Sequence, residues 1–514
     1  MVTDGLRLAD ILAALSVATD LGMGQEPEKA VRSCLVATHL ARASDLPEHA
    51  VGDVFYTALL QHLGCTAPAH EWSYLFGDGL ATTPQAERTD GANRREALAL
   101  LMSAGRGTGV RRFRHLARTV AAGEQGSRTV LLSVCEVGAR MSERLGLGEG
   151  VRLGLRHSLE RWDGNGEAYG LAAEDIALPA RFTALATQAV IFDRLGGPDA
   201  ALEMARRRAG GWFDPAVTTT FERVGPDLLR RLAETDVWAA VLAAEPQPAR
   251  QIAPARLDEV ARVFADMVDL LTPFTLGHSS GVAELAAAAA ERLRLPVGSV
   301  DRLRVAALLH DLGRVAIAGA VWEKPRALSS TEWEQVRLHP YYTERILVRS
   351  AILEPLARLA GMHHERQDGS GYHHGASAAQ IPAEARLLAV ADAYQAMTQD
   401  RPYRAGLAPL AAVEQIEAAA RAGWFDPECT RAVIEAAGQH PTQVRSAWPA
   451  GLSEREVDVL RLMARGLSNR QIAETLVISS RTAEHHVQHI YTKIGVSTRA
   501  GAAMFTMEHG LLRA

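Results

Sequence analysis

Four segments of this chain occur twice and in the same order, which restricts it to a fold that one stretch of chain can build and a second can build again. TALLQHLG (57–64), ERWDGNG (160–166), LPARFTALATQA (178–189) and AGGWFDP (209–215) reappear as AALLHDLG (306–313), ERQDGSG (365–371), AEARLLAVADAY (383–394) and AGWFDP (422–427). One shared WFDP would mean little, whereas four ordered matches define a duplicated domain. Upstream, His39 in CLVATHLARASDLP takes the place of His278 in LGHSSGVAELAAAAAERLRLP. Alanine, leucine and arginine abound, aromatic residues make up 5%, and alternating runs of β-branched residues are scarce. That balance favours helices, so the expected fold is all-α.

At 514 residues the chain is too long for one core. Proline-rich EPQPARQIAPAR (245–256) and GQHPTQVRSAWPAG (438–451) read as linkers. They give three domains, at 1–243, 255–440 and 450–514. The net charge of −5 argues against a chain-wide polyanion-binding surface but leaves room for a small basic module. Cys34, Cys65, Cys135 and Cys429 form no close pair, so neither a zinc knuckle nor a disulfide framework is expected. The start, MVTDGLRLADILAAL, reads as a helix rather than a signal peptide. No apolar run reaches membrane-spanning length. A cytoplasmic protein without membrane contact is the expectation.

The second copy carries metal-binding side chains in doublets: His310-Asp311 and His363-His364, with His278 upstream, His339 between them and Asp392 downstream. Hydrolysis of a phosphate ester by two metals needs divalent ions about 3.5–4 Å apart, with a carboxylate bridging them. A carboxylate has two oxygens and can bridge, so Asp311 is the natural bridge; imidazoles fill terminal positions. ARLLAVADAYQAM is an apolar helix with one acid, Asp392. Burying that acid costs several kcal/mol unless it is paired or holds a cation. Ser329 and Glu332 mark a helix start, and Pro340 is expected to bend that helix just after His339. Taken singly, His278 and His339 would be surface histidines and Asp392 a cap or ion pair. Alongside the doublets they read as one ligand set.

The first copy differs where the chemistry would occur. Gln61-His62 stands for His310-Asp311, Ser158-Leu159 for His363-His364 and Thr187 for Asp392, with Cys135 roughly opposite His339. Leucine cannot ligate and an amide ligates poorly. This copy is therefore expected to keep the scaffold without the site, serving packing and dimerisation or sensing a small molecule.

HHERQDGSGYH closely resembles the HD-GYP signature, HHExxDGxGYP, and AALLHDLGR resembles the HD motif of the wider HD phosphohydrolase superfamily. The resemblance covers roughly residues 255–440. It implies tandem HD-type helical bundles, two divalent metal ions (iron or manganese) and phosphodiesterase activity on cyclic dinucleotides, chiefly cyclic di-GMP. By position it assigns His278, His310, Asp311, His339, His363, His364 and Asp392 as ligands. Asp368, Gly369, Gly371 and Tyr372 would shape the substrate cleft, and Arg401 and Arg404 of RPYRAG would meet substrate phosphates. Three positions depart from the pattern. Arg314 replaces the lysine after HDxG; it can grip phosphate in two places but is a poor proton donor, so slow turnover is expected. His373 replaces the proline of GYP. Phe274 stands where some members place a third-metal glutamate, which argues for two metals.

The C-terminal segment has three helix starts, at Ser453 with Glu456, at Ser468, and at Ser479 or Ser480. LSEREVDVL, ARGLSNRQIA, LVISSRTAEHHV and KIGVSTR resemble the LuxR/FixJ-type helix-turn-helix domain, with Ala483 where valine is common. This implies a four-helix domain whose third helix enters the major groove of double-stranded DNA. Arg481, Thr482, His485, His486 and Gln488 would reach bases or phosphates, and Lys493 and Arg499 the phosphate backbone, in a homodimer on paired half-sites. The combined expectation is a transcription regulator whose central domain binds and hydrolyses a cyclic dinucleotide. Two alternatives stand beside it: a non-catalytic nucleotide- or metal-sensing regulator, and a phosphohydrolase acting on another nucleotide.

Overall fold

The computed structural model describes residues 5–76, 79–91, 93, 96, 128–438 and 448–512. Their regular secondary structure is helical almost throughout, as the composition implied. The one sheet among the described residues pairs β1 (Leu6–Arg7) antiparallel with β2 (Gln251–Ile252), Leu6 opposite Ile252. No described helix is long and apolar enough to cross a membrane. The chain forms two compact units, Met1–Pro254 and Ala255–Ala514.

The first unit comprises α1 (Leu8–Gly22), α2 (Lys29–Ala43), α3 (Glu48–Leu59), α4 (Ala69–Phe76), α5 (Gly79–Arg88), α6 (Glu149–Arg156), α7 (Leu178–Arg208), α8 (Pro215–Ala233) and α9 (Val237–Ala244). Further helical backbone runs over 128–144. α7 is broken at Gly197, whose φ of 78° only glycine adopts readily and which Pro198 follows. The stretch 245–256, expected to be a linker, is instead largely built into this unit. Buried Glu245 accepts from Arg7 Nε (2.6 Å), the Tyr56 hydroxyl (2.6 Å) and Arg250 N–H (3.0 Å), and Ile252 is buried in β2. Prolines interrupt a long helix there, leaving only the short 3₁₀ turn Pro254–Arg256, but they do not rule out a fastened extended segment.

The second unit begins with α10 (Leu257–Asp269), α11 (His278–Arg292), α12 (Val297–Leu309), α13 (Gly319–Trp322), α14 (Ser330–Arg337) and α15 (His339–Leu347). It continues with α16 (Glu354–Gly361), α17 (Ala383–Thr398), α18 (Pro409–Arg421) and α19 (Pro427–Ala437). Ser329 and Glu332 form the expected capping box on α14. The break near Pro340 falls one step earlier than expected, at Leu338, so that His339 opens a new helix with Pro340 in its first turn. Proline lacks the N–H that a first turn leaves unpaired anyway, so it starts a helix more easily than it bends one.

The duplicated motifs turn out to be caps and staples. In each WFDP the aspartate caps the following helix from a proline-led first turn. Asp214 accepts from Ala216 N–H (2.8 Å), and Asp426 from Glu428 N–H (2.9 Å) and Cys429 N–H (3.0 Å). The tryptophan takes the arginine of the ERxDG loop over its ring, Arg161 over Trp212 at 5.2 Å and Arg366 over Trp424 at 3.8 Å. The loop glutamate is stapled as well: Glu160 accepts the N–H groups of Tyr169 and Leu171, and Glu365 those of His374 and Ala376.

The remaining helices are α20 (Glu454–Ala464), α21 (Asn469–Leu476), α22 (Ser480–Ile494) and α23 (Arg499–Glu508). Capping boxes at Ser453 and Ser468 and the Ser479 cap start the first three as read from the sequence. They share one apolar core, in which Val457, Leu460, Ile472, Ala483, Val487, Ile490 and Phe505 are buried. Of the second proposed linker, residues 439–447 lie outside the described residues.

Candidate functional site

Seven side chains from separate elements of the second unit meet at one buried place. His278 opens α11, His310 ends α12, and Asp311 leads the short 3₁₀ turn Leu312–Ala316. His339 opens α15, His363 and His364 follow α16, and Asp392 lies within α17. All are buried except His364, which is half-buried.

Asp311 lies between two groups of donors. Its Oδ1 is 3.3 Å from His339 Nε2 and 3.7 Å from His363 Nε2. Its Oδ2 is 3.5 Å from His310 Nε2 and 3.8 Å from His278 Nε2. Asp392 Oδ1 lies 3.1 Å from His278 Nε2 and 3.8 Å from His310 Nε2, and its Oδ2 lies 3.8 Å from His364 Nδ1. Two sets of three therefore converge, His339 with His363 and His364, and His278 with His310 and Asp392. Each set is able to hold a metal ion.

Four imidazoles are also oriented from behind. The Nδ1–H groups of His310, His339 and His363 donate to the carbonyls of Ala307 (2.7 Å), Val336 (2.6 Å) and Ala360 (2.7 Å), each three residues back. His278 Nδ1–H donates to Gln399 Oε1 at 2.9 Å. Each bond fixes the tautomer and turns the Nε2 lone pair inward, as metal-ligating histidines require. His310 Nε2 is buried with no hydrogen-bond partner, and the Nε2 atoms of His339 and His363 face one another at 2.9 Å. A buried lone pair without a partner costs about 1–3 kcal/mol, which a cation between these atoms would relieve.

Burial disfavours a charged His310, but Asp311 and Asp392 carry its pKa up to about 9. Burial holds His364 down at about 3 against the pull of Asp392, and burial with neighbouring imidazoles keeps His363 well below its ordinary value. Burial also lowers His278, which shares a donor set with His310, so the pull toward positive charge centres on His310 between the two carboxylates.

Arg314 and Arg401 supply fixed positive charge nearby. Arg314 Nη1 donates to Asp311 Oδ2 at 2.8 Å, and its guanidinium stacks 4.1 Å above the ring of Trp322, which stands edge-on to His339. Arg401 donates to the Phe274 carbonyl at 2.9 Å; burial and the neighbouring Arg314 lower its pKa to about 10. Arg404, expected at a substrate phosphate, is held by backbone acceptors of its own chain. Its guanidinium is spent on the carbonyls of Ala396, Met397 and Ala405, closing the end of α17. Of the loop residues, Tyr372 lies with its ring 4.8 Å from His364. Asp368 is exposed and accepts Ser370 N–H at 2.9 Å. Gly369 supplies a φ of 78°, and Gly371 packs on the backbone of Glu365 and Arg366. The sequence reading missed Trp322, Gln399 and Glu365. Only Glu365 carried a local signal, its place in both ERxDG motifs.

The first unit shows what has replaced this cluster. Helices α2 and α11 both follow a buried aspartate that accepts the N–H of the second helical residue: Asp20 from Ala30 (3.1 Å) and Asp269 from Ser279 (3.0 Å). The counterpart of His278 is therefore Lys29, while His39 is exposed ten residues into α2. Likewise a Cβ on Gly64 would meet the Val134 carbonyl, and one on Gly313 the His339 carbonyl, so His339 is matched by Val134 rather than Cys135. Both corrections arise because short motifs fix a register only close to themselves. Lys29 is fully buried; its ammonium is paired with Glu87 and lies 3.3 Å from His62 Nε2, which is itself 3.2 Å from Glu87. Burial alone would raise the pKa of Glu87, but Lys29 and His62 hold it far below the ordinary carboxylate range. Thr187 donates to Gln61 Oε1. Among the described residues no set of metal donors converges in this unit.

In the C-terminal helices α22 buries Ala483, Val487 and Ile490 and exposes Arg481, Thr482, His485 and Gln488 on the opposite face; His486 is half-buried. The turn before it is short, with Val477 left-handed at the end of α21. Lys493 and Arg499, expected to meet phosphates, are engaged within the domain. Lys493 Nζ donates to Glu456 Oε2 (2.7 Å) and the Gly451 carbonyl (3.0 Å), and Arg499 to Leu467 O (2.6 Å) and Asn469 Oδ1 (2.7 Å). These acceptors come from distant positions in the sequence.

Residues 262–429 match the HD domain family and residues 450–506 the luxR family of bacterial regulatory proteins. The chain is 30% identical over 444 residues to a 3'3'-cGAMP-specific phosphodiesterase of Vibrio cholerae serotype O1, spanning 85% of this chain and 96% of that one. It is 38% identical over 169 residues to a cyclic di-GMP phosphodiesterase of Pseudomonas aeruginosa, spanning 33% and 40% of the two chains. A solved structure of a cyclic GMP-AMP-specific phosphodiesterase from V. cholerae shares the fold at a TM-score of 0.59 and 27% identity, over 85% of this chain and 99% of the other.

Proposed function

Because this chain belongs to the HD-domain family of cyclic-nucleotide phosphodiesterases, in its HD-GYP branch, we propose that its second unit hydrolyses a cyclic dinucleotide and that its luxR-family domain binds DNA. The carrying observation is the Asp311 carboxylate between two donor triads whose Nε2 atoms are turned inward by backbone and Gln399 acceptors. His339, His363 and His364 would hold one divalent ion, and His278, His310 and Asp392 a second, with Asp311 shared. Such ions polarise a phosphate and activate water near neutral pH. Arg314 and Arg401 place two guanidinium groups where phosphate charge accumulates, with Arg314 ordered by Asp311 and Trp322. Tyr372, beside His364, forms one wall for the nucleotide. Exposed Arg481, Thr482, His485 and Gln488 reach into the major groove, two copies of the chain meeting paired half-sites.

The substrate we favour is 3'3'-cGAMP rather than cyclic di-GMP, because the relative with that specificity aligns along both units while the cyclic di-GMP enzyme aligns over 169 residues. The test is an anaerobic assay of the full chain with manganese or iron, offering both cyclic dinucleotides. We expect turnover that Asp311→Asn and His363→Ala lower by at least about 100-fold, since each removes a ligand from the cluster. Tight nucleotide binding by metal-loaded protein with no turnover of either compound would replace this reading with that of a sensor.

A further inference from the structure

A second set of metal donors lies outside the Asp311 cluster and shares no residue with it. On α15, five residues beyond His339, Glu344 faces the loop that follows Tyr372. Glu344 Oε1 lies 2.7 Å from His374 Nε2 and 3.3 Å from His373 Nε2. The two adjacent imidazoles lie side by side, with ring centroids 3.9 Å apart. All three donor atoms fall within 4.8 Å of one another. We propose that Glu344, His373 and His374 bind one borderline transition-metal ion of the zinc class.

Three observations carry this. First, His373 Nε2 is buried and makes no hydrogen bond, although Glu344 Oε1 lies 3.3 Å from it. A buried ring nitrogen left unpaired is costly, and a cation seated between it and the carboxylate removes that cost. Secondly, the spacing suits the ion. Donors about 2.0–2.1 Å from zinc in a tetrahedron stand roughly 3.3 Å apart, the separation of Glu344 Oε1 from His373 Nε2 (3.3 Å), while exposed His374, hydrogen-bonded to Glu344 at 2.7 Å, is free to swing outward to the same spacing. Thirdly, the loop is already held in place. Glu365 fastens the His374 N–H at 2.7 Å and the Ala376 N–H at 2.8 Å, so little ordering remains when an ion binds. Gly361, against Glu344, leaves the carboxylate its room.

Two imidazoles and one carboxylate favour a borderline ion over magnesium or calcium, which prefer all-oxygen sites. His374 is exposed, so a fourth position remains open to water. The ion would clamp the loop carrying Tyr372 to α15, the helix that begins at His339. Its occupancy would thus set the position of Tyr372 against His364.

The experiment is a zinc count on the full chain. Wild type, His374→Ala and Glu344→Gln are each dialysed to equilibrium against Zn²⁺ and the bound metal is measured by mass spectrometry. Each variant is expected to hold one equivalent fewer than wild type. The reading is a difference, so it is the same whether or not the Asp311 cluster takes up metal. Co²⁺ gives a second readout: wild type should show a visible absorption band that His374→Ala loses. Should half-buried Glu344→Gln fail to fold, exposed His374→Ala decides alone. Equal zinc content in folded wild type and His374→Ala would overturn the proposal.

Discussion

Lys29 and His278 occupy one position in the two copies and solve one problem by different means. Each lies at the start of a helix, fully enclosed, among groups that need a positive charge. In the second unit the surroundings are imidazoles and carboxylates that could take an ion from solution. In the first, the chain supplies the cation, and Glu87 with His62 compensates it. Asp20, next to the pair, is pushed up by burial to about 7 despite the pull of Lys29, so the pocket tolerates little further negative charge. Lys29→Met leaves buried Glu87 with only His62 and Gln25 as partners and no fixed cation, and breaking a buried ion pair typically costs about 3–5 kcal/mol. We expect that loss as faster hydrogen exchange in α2 and α3, with much of it regained when Glu87→Gln is added. Unchanged exchange in the single variant would show that Glu87 is hydrated rather than dependent on Lys29.

At the scale of elements, caps decide more than propensity does. Glu456 completes the capping box of α20 and accepts Lys493 from α22, so one carboxylate joins the first helix of the DNA-binding domain to its third. Burial alone would raise its pKa; the Lys493 and Ser453 hydrogen bonds outweigh it and bring the value down to about 2. A carboxylate depressed in the folded state adds stability above its unfolded value of about 4.5 and loses it as the pH falls toward 2. Glu456→Gln should therefore melt below wild type at pH 7 and converge with it near pH 2–3. The same contact separates two kinds of basic residue. Lys493→Ala should lower the melting temperature, since its ammonium is spent inside the domain. Arg481→Ala should leave melting unchanged and reduce the salt dependence of DNA affinity by about one counterion. Fluorescence anisotropy against salt reads the difference, and the reverse pattern would return Lys493 to the phosphate backbone.

At the scale of the whole molecule, the Asp311 cluster and α22 lie in one compact unit, in which Leu512 packs on Gly277 beside His278, but their cores are built from different residues. The buried core of the C-terminal helices lies within residues 452–511, with Trp448 packed against it, and no residue of the Asp311 cluster enters it. Chelation of metal should abolish hydrolysis while the full chain keeps its affinity for nonspecific duplex DNA within about threefold. A much larger fall would mean that the metal site supports the DNA-binding helices as well, and that the two outputs are one thermodynamic system.

The sequence by itself determined the all-α class, the duplication, the helix starts and the seven side chains of the Asp311 cluster. Each of these rests on local chemistry: a cap reaches three residues along the chain, a doublet one, and a proline acts within its own turn. Only the tertiary structure decided that Lys29 stands at the place of His278, that Val134 matches His339, and that Lys493, Arg499 and Arg404 are spent on internal acceptors. It alone brought Glu344 to His373 and His374. The physical reason is range. A side chain's partner is set by packing between elements tens or hundreds of residues apart, and a motif carries no information about what will fold against it.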